Sequence, residues 1–446
     1  MVKASLRRFA LSFRVALGIA MSRQKRRDAL RTPLYANSVY LIANSVVTTV
    51  LGFVFWVLVA RLYPAEVLGV ASALISAAGL LVFIASLGLG MGLIRFLPGA
   101  GTGTSALINS SFTLSGLAAV AAAVIFLAGL PLWSPALAFV RQNPIFVAAF
   151  ITFVTVGTLF NLLTHVLVAL RRAEFVFIQG LFAGLVKLGM VVAMVNLFQV
   201  FGIFASWGLS IAVALGFGIL LLLPRLQLGY RPFLALRKQV SNDMLHFSFA
   251  NYAGTGLWSL PTWLLPIMII NLLGAETNAY FYVSWSMANL LFAIPLAISM
   301  SLFAEGSHQE EILTRDVRKS LKLIVVLLLP AMVIMLVAGD KLILIFGKEY
   351  SLEGARLLWI LAPSAIPLSI NSVYLGIARV KEKQKNIVLV GAAVALGTLG
   401  LSYAFISHLG ILSPAIGWLV THTLVALVVL HSLRKSLKTV PTKVIG

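Results

Sequence analysis

Lys187 stands inside an otherwise apolar run, 12 residues from its start. At about 1.5 Å per helical residue it lies roughly 18 Å deep, near the middle of a membrane. A charge there costs about 2.5 to 3.5 kcal/mol on insertion scales, so such a residue is taken as functional until a partner accounts for it. Gly180 and Gly184 share its helical face. A glycine face packs against neighbouring helices rather than lipid, so the ammonium is expected to point into the bundle. It could hold a diphosphate or acidic sugar there, or be snorkelling or bonded to backbone carbonyls.

Arg95 follows Gly88, Gly90 and Gly92 and precedes Pro98. The glycines permit a bend that would turn the guanidinium into a cavity, where its planar fork suits phosphate. The same position suits an ordinary headgroup anchor. Arg61, at the other end of the first span, could receive an anionic headgroup or anchor the helix. Uncharged polar residues recur at helical spacing: Asn37, Asn44 and Thr48, then Thr158, Asn161 and His165, then Asn251, Thr255 and Thr262. Spacings of three, four and seven put each set on one face, lining either a wet cavity or a helix contact. His165 and His422 could relay protons or be hydrogen-bonded within the bundle. The substrate-binding candidates are therefore Lys187, Arg95, Arg61, Asn44, Thr48, Asn161, Asn251 and Thr255.

What is missing narrows the chemistry. Every Asp and Glu falls in a tail, a loop or at a span end, so the interior is expected to be cationic. Exporters of organic cations need a buried carboxylate, which argues against that class. The sequence has no GxxxxGK[ST] loop, no carboxylate pair placed for glycosyl chemistry and no metal-ligand cluster. Cysteine is absent, which excludes disulfides and thiol nucleophiles. A transporter rather than an enzyme is expected, with no cofactor or metal. Its drive would be an ion gradient, the membrane potential or downstream consumption of the product.

The elements that must position these residues are membrane spans. The chain is 60% apolar and 11% charged, against about 25% charged in soluble domains. A window of about 20 residues, enough to cross about 30 Å of hydrocarbon, predicts an all-α membrane protein. Twelve helices are expected near 34–60, 67–94, 106–130, 145–170, 175–198, 201–223, 246–272, 277–303, 320–338, 355–378, 386–407 and 411–432. With both termini cytoplasmic, 28 of the 34 Lys and Arg fall on the inner side. Most of the net charge of +21 is therefore topology, and no nucleic-acid partner is needed. Residues 1–33 form a basic cytoplasmic tail. Leu6, Phe9, Phe13, Leu17 and Ala20 on one face suit an interfacial helix, although a disordered tail fits as well.

The two halves resemble each other at a spacing near 210 residues. Asn44 and Thr48 match Asn251 and Thr255, Asn161 matches Asn371, and Gly189 matches Gly400. Six spans per repeat give both halves the same orientation, related by a pseudo-two-fold axis along the membrane normal. The predicted lobes are 34–223 and 246–432, joined by a basic cytoplasmic linker at 224–245 and followed by a tail at 433–446. Equivalent helices of such lobes meet across the centre, so the stripes on the first and seventh spans are expected at the cavity.

Two patches resemble a known family. The first runs through Asn44, Leu51-Gly52-Phe53, Val59 to Glu66, Gly69, Leu87 to Gly90 and Ile94 to Pro98. The second comprises Phe346 to Tyr350, Ala355 to Leu358, Asn371 and the basic loop Arg379 to Lys385. Together they resemble the oligosaccharide flippases, or polysaccharide-biosynthesis membrane proteins, of the multidrug/oligosaccharidyl-lipid/polysaccharide exporter superfamily. The resemblance implies movement of a polyprenyl-diphosphate-linked oligosaccharide from the inner to the outer leaflet of the cell membrane by alternating access. An anionic lipid-linked glycan is then the expected substrate, with membrane lipids and glycan-assembly proteins as partners and a monomer as the working unit. An exporter of small amphipathic compounds on the same fold is the alternative.

Overall fold

A computed structural model describes residues 33–195, 198–227, 230–234, 240, 242–306 and 313–438. The expected basic tail, apart from Pro33, and the last eight residues lie outside them. The described residues form helices joined by short turns, with no strand. The first half contains α1 (Pro33–Leu62), α2 (Ala65–Ala85), α3 (Leu89–Phe96), α4 (Thr104–Trp133), α5 (Pro144–Ala169), α6 (Ala173–Ala193) and α7 (Gln199–Leu226). The second contains α8 (Asn242–Leu273), α9 (Ala275–Gly306), α10 (Leu313–Ile343), α11 (Lys348–Leu361), α12 (Ala365–Val380), α13 (Gln384–Leu409) and α14 (Leu412–Lys438). Among the described residues eleven helices are long and apolar enough to cross a membrane, or twelve spans when the bent pair α11–α12 is taken as one.

Two spans differ from the continuous helices expected. The second breaks between α2 and α3, where Leu87 and Gly88 both adopt left-handed backbone, with φ of 50° and 70°. Glycine is also required at 88 by contact, because a Cβ there would lie 2.6 Å from the carbonyl oxygen of Ser248. The tenth span begins at Lys348 rather than in a loop and bends by 48° between α11 and α12. Pro363 sits in that break, and its missing N–H and fixed ring disrupt a continuous helix. Local signals place other ends where expected. The Asn143 side chain, for example, accepts from the Ile145 N–H at 2.9 Å with Pro144 opening α5.

The helices form two lobes in which equivalent pairs pack. In the first lobe α1 packs on α6, α2 on α5, and α7 on both α5 and α6. In the second, α8 packs on α13, α9 on α12, and α14 on both α12 and α13. The lobes meet mainly through α2, which contacts both α8 and α9.

Polar bonds between the lobes gather at the end carrying Arg61. Its guanidinium donates to the carbonyls of Ile345 (2.7 Å) and Leu344 (2.5 Å). The Asn278 amide donates to the Gly69 carbonyl at 2.7 Å. A Cβ on Gly69 would overlap the Ala275 carbonyl oxygen, at 1.7 Å. Asn271 joins Ser134 (3.0 Å) and the Ala136 N–H (3.1 Å). Nearer the Arg95 end, Tyr252 stacks on Phe83, ring centroids 3.9 Å apart, and donates to the Phe83 carbonyl.

The segment after α7 docks on the first lobe. Tyr230 donates to the Asn109 side-chain oxygen at 2.8 Å, and the Asn109 amide donates to the Arg231 carbonyl at 2.9 Å. Burial pushes the Tyr230 phenol up to about 12.

Candidate functional site

Small residues on α6 let α1 come close. A Cβ on Gly180 would lie 2.2 Å from the Asn44 Oδ1, and one on Gly184 would lie 2.4 Å from the Leu51 Cδ1. Lys187 is the next residue along this seam. Its Nζ lies 4.7 Å from the Phe55 ring centroid, and it has no hydrogen bond or ion pair among the described residues. Phe55 is buried and packs edge-on against Trp56, which in turn meets Tyr282 of the other lobe at 4.5 Å. The cation therefore rests on an aromatic path that leads to the lobe boundary. A ring face attracts an ammonium by about 0.5 to 2 kcal/mol, which softens its burial and leaves its donors free.

A cavity of about 270 Å³ opens within the second lobe, walled by α8, α9, α12 and α14. The Trp258, Trp285, Trp418 and Phe292 side chains form an aromatic wall, with Thr262 and Asn289 beside them. On α12 the lining residues are Leu368, Ser372, Leu375 and Arg379, at steps of four, three and four, which is one helical face. The 11 residue steps from Leu368 to Arg379 span roughly 16 Å. Arg379 and Met300 mark one end of the cavity. The guanidinium donates to the Met300 sulfur at 3.8 Å, a weak acceptor, and meets no carboxylate among the described residues. Among the described residues no Asp or Glu lines the cavity.

Behind the indoles is a buried polar pair. The Asn371 amide donates to His422 Nδ1 at 3.1 Å and to the His422 carbonyl at 2.9 Å. The imidazole lies 4.2 Å from the Trp418 ring, and its Nε2 has no hydrogen-bond partner among the described residues. Asn371 and Asn161 are the repeat pair, but only Asn371 holds a histidine side chain through its amide. On α5 the His165 Nδ1 bonds the Asn161 carbonyl at 2.8 Å, and its ring packs against Gly90.

The other sequence candidates are dispersed. Asn44 and Thr48 face α6 at the Gly180 contact, with the Thr48 hydroxyl returned to the Asn44 carbonyl at 2.7 Å. Asn37 accepts from the Ala173 N–H at the same seam. Thr158 is buried and bonds the Val154 carbonyl. Thr262 reaches the cavity, Thr255 is half-buried on α8, and the Asn251 side chain lies outside the described residues. Arg95 is exposed at the end of α3, its guanidinium 5.7 Å from the Phe96 ring, and is not among the cavity lining. Arg61 is engaged in the cross-lobe bonds already described.

Arg379 and the three tryptophans went unread as site residues. Arg379 belongs to a basic run that looks like a loop charge, and only its place on the Leu368–Ser372–Leu375 face signals a lining residue.

Fold and cavity define a polytopic two-lobed membrane protein with a cationic, aromatic cavity in its second lobe. The sequence pattern of the family described as polysaccharide biosynthesis protein matches residues 58–353, and the chain belongs to that family. No curated protein matches the chain. Among solved structures, the lipid II flippase MurJ in an inward closed conformation has a TM-score of 0.69 at 12% identity, covering 89% of this chain and 87% of that one. An inward-facing multidrug-resistance MATE transporter of the MOP superfamily gives 0.64 at 15%, covering 91% and 100%. A MOP-superfamily transporter from Pyrococcus furiosus, reported with a binding pocket of reversed polarity, gives 0.64 at 15%, covering 92% and 97%. These likenesses establish that the chain shares the two-lobed fold of those structures.

Proposed function

We propose that this protein is a flippase that carries a polyprenyl-diphosphate-linked oligosaccharide from the cytoplasmic to the outer leaflet of the cell membrane. The observation that carries this reading is the one-sided polarity of the interior. Among the described residues Lys187 and Arg379 offer charged donors without a carboxylate partner, and no acid lines the cavity. Desolvated cations of this kind recruit an anion, and the guanidinium fork suits phosphate oxygens. Family membership supports a role in polysaccharide assembly. In this reading the headgroup enters from the cytoplasmic, Arg379 side while the bonds at the Arg61 end hold the outer side closed. The prenyl tail stays in lipid, and rocking of the lobes then exposes the headgroup outside.

The test is reconstitution of the full chain in vesicles that carry a fluorescent polyprenyl-diphosphate glycan on one leaflet. The expected result is its appearance on the other leaflet, as read by a membrane-impermeant glycan-cleaving reagent. Lys187→Ala and Arg379→Gln are expected each to slow it by about tenfold, the loss of one charge-assisted contact. Efflux of ethidium with no movement of the glycan lipid would instead establish the amphipathic-compound exporter.

A further inference from the structure

Residues 230–234, Tyr-Arg-Pro-Phe-Leu, follow α7 without regular structure. Pro232 contributes to this, since it lacks an N–H and fixes its own φ. The start of the segment is held firmly. Tyr230 is buried in one cluster with Leu107, Ile108 and Leu223, and the two bonds through Asn109 tie residues 230 and 231 to α4. The end of the segment is the opposite. Phe233 is 52% exposed and Leu234 88%, which makes Leu234 the most exposed large hydrophobic among the described residues. For a residue on a membrane span such exposure is met by lipid. Phe233 and Leu234, however, lie beyond the end of the α7 span at Leu226.

The clasp on Asn109 bounds where they can be. Asn109 stands five residues past the start of α4, roughly 7.5 Å along an apolar span. Three residues beyond Arg231, the chain reaches at most about 10 Å. A headgroup layer is about 5 to 7 Å thick on each side of the hydrocarbon. The pair is therefore held at the level of the headgroups, at the end of the bundle where α7 finishes. Charge points the same way. Arg225 and Arg231 are both exposed, and the sequence has no Asp or Glu between Glu174 and Asp243, while Arg237 and Lys238 follow.

From this arrangement we infer that Arg225, Arg231, Phe233 and Leu234 form a docking site for an anionic phospholipid of the inner leaflet. Phe233 and Leu234 enter the acyl boundary, and the two guanidinium groups meet lipid phosphates. Apolar insertion combined with basic charge is the pairing that holds a surface segment on an acidic membrane. The bounded depth favours lipid over a protein partner, which could reach the tip only inside the headgroup layer. Since the clasp bonds this segment to α4, acidic lipid anchors the first lobe at the leaflet surface and leaves the second to move against it. The inference does not depend on the cargo, so failure of the vesicle transport assay would leave it standing.

The chain lacks cysteine, so Leu234→Cys gives a single attachment point for an NBD fluorophore on the full-length protein. The labelled protein is placed in nanodiscs of equimolar phosphatidylcholine and phosphatidylglycerol, with one lipid or the other brominated on its acyl chains. Both are expected to quench the label. The ratio of quenching is expected to show phosphatidylglycerol enriched about fivefold or more, because one basic residue near a membrane surface is worth about 1 kcal/mol. Combining Arg225→Gln with Arg231→Gln is expected to make the two lipids quench alike while the label stays quenched, which shows that the variant is still folded and inserted. In discs of phosphatidylcholine alone, the NBD emission is expected to move to longer wavelength. A label that neither lipid quenches would place the tip in water or against protein. Equal quenching with both arginines present would remove the acidic-lipid preference, and an undiminished preference in the double variant would remove the arginines. Each of these three results overturns the inference.

Discussion

The seam between α1 and α6 in the first lobe carries Lys187, half-buried over Phe55. The equivalent seam in the second lobe, between α8 and α13, carries Thr398 at the matching position 211 residues later, fully buried and with no hydrogen-bond partner for its hydroxyl among the described residues. Gly180 and Gly391 are likewise 211 apart and both sit at a close helix approach. Beyond α12, Arg379 corresponds at 210 residues to Ala169. The same helix packing is thus kept in both lobes while the charges are placed differently, one deep in the first and one at the cavity end of the second. A symmetric scaffold has been given an asymmetric interior.

The largest test of this contrast moves the charge across. Thr398→Lys puts an ammonium where nothing is exposed, at a cost of about 2.5 to 3.5 kcal/mol, so the monodisperse peak in size-exclusion chromatography is expected to collapse. Lys187→Thr is expected to keep that peak and lose transport. Equal yields for the two variants would show that the seams tolerate charge alike. Next in size are the glycines. A Cβ on Gly391 would meet the Gly254 carbonyl at 2.8 Å, which is backbone, whereas one on Gly184 would meet the end of the Leu51 side chain. Gly391→Ala is therefore expected to cost about 1 to 3 kcal/mol and Gly184→Ala less, read as thermal unfolding midpoints in detergent. Matching midpoints would erase the distinction between the seams.

Smaller effects are expected where the lobes join. Arg61→Ala removes cross-lobe bonds from an exposed arginine, worth about 1 kcal/mol. Since the chain lacks cysteine, spin labels at Glu66→Cys and Lys348→Cys report this directly, and the distance distribution is expected to shift longer. An unchanged distribution would mean that apolar packing alone holds that end closed. Smallest is Tyr230→Phe, about 0.5 to 1.5 kcal/mol of docking, read as faster tryptic cleavage beside Arg231. The docked phenol's pKa is raised from 10.0 to about 12. Its contribution is therefore complete below about 10 and is lost as pH rises through about 12.

The spans were legible because apolar length and the distribution of lysine and arginine are local properties of the chain. Lobe equivalence was legible from Asn161 and Asn371, Gly189 and Gly400. The breaks were harder. Gly88 reads as a hinge in sequence, yet its place is also fixed by the Ser248 carbonyl pressing on it from α8. Asn44 and Thr48 show the same limit, since a polar face signals a neighbour without saying whether it is water or Gly180. Arg379 was obscured by the basic run that follows it. Tryptophans 258, 285 and 418 were obscured because in an apolar chain an indole looks like any core residue until the fold places it at a cavity wall.

The acceptors of Arg61 are main-chain carbonyls at 344 and 345, and they remain whatever side chains stand at those positions. One half of this clasp is therefore invisible to ordinary missense mutation. In a saturation library selected for a loosened closed state, hits from this contact are expected to fall on codon 61, while substitutions at 344 and 345 pass silently unless they redirect the backbone itself. The protein has reduced a two-sided contact between its lobes to a one-codon mutational target.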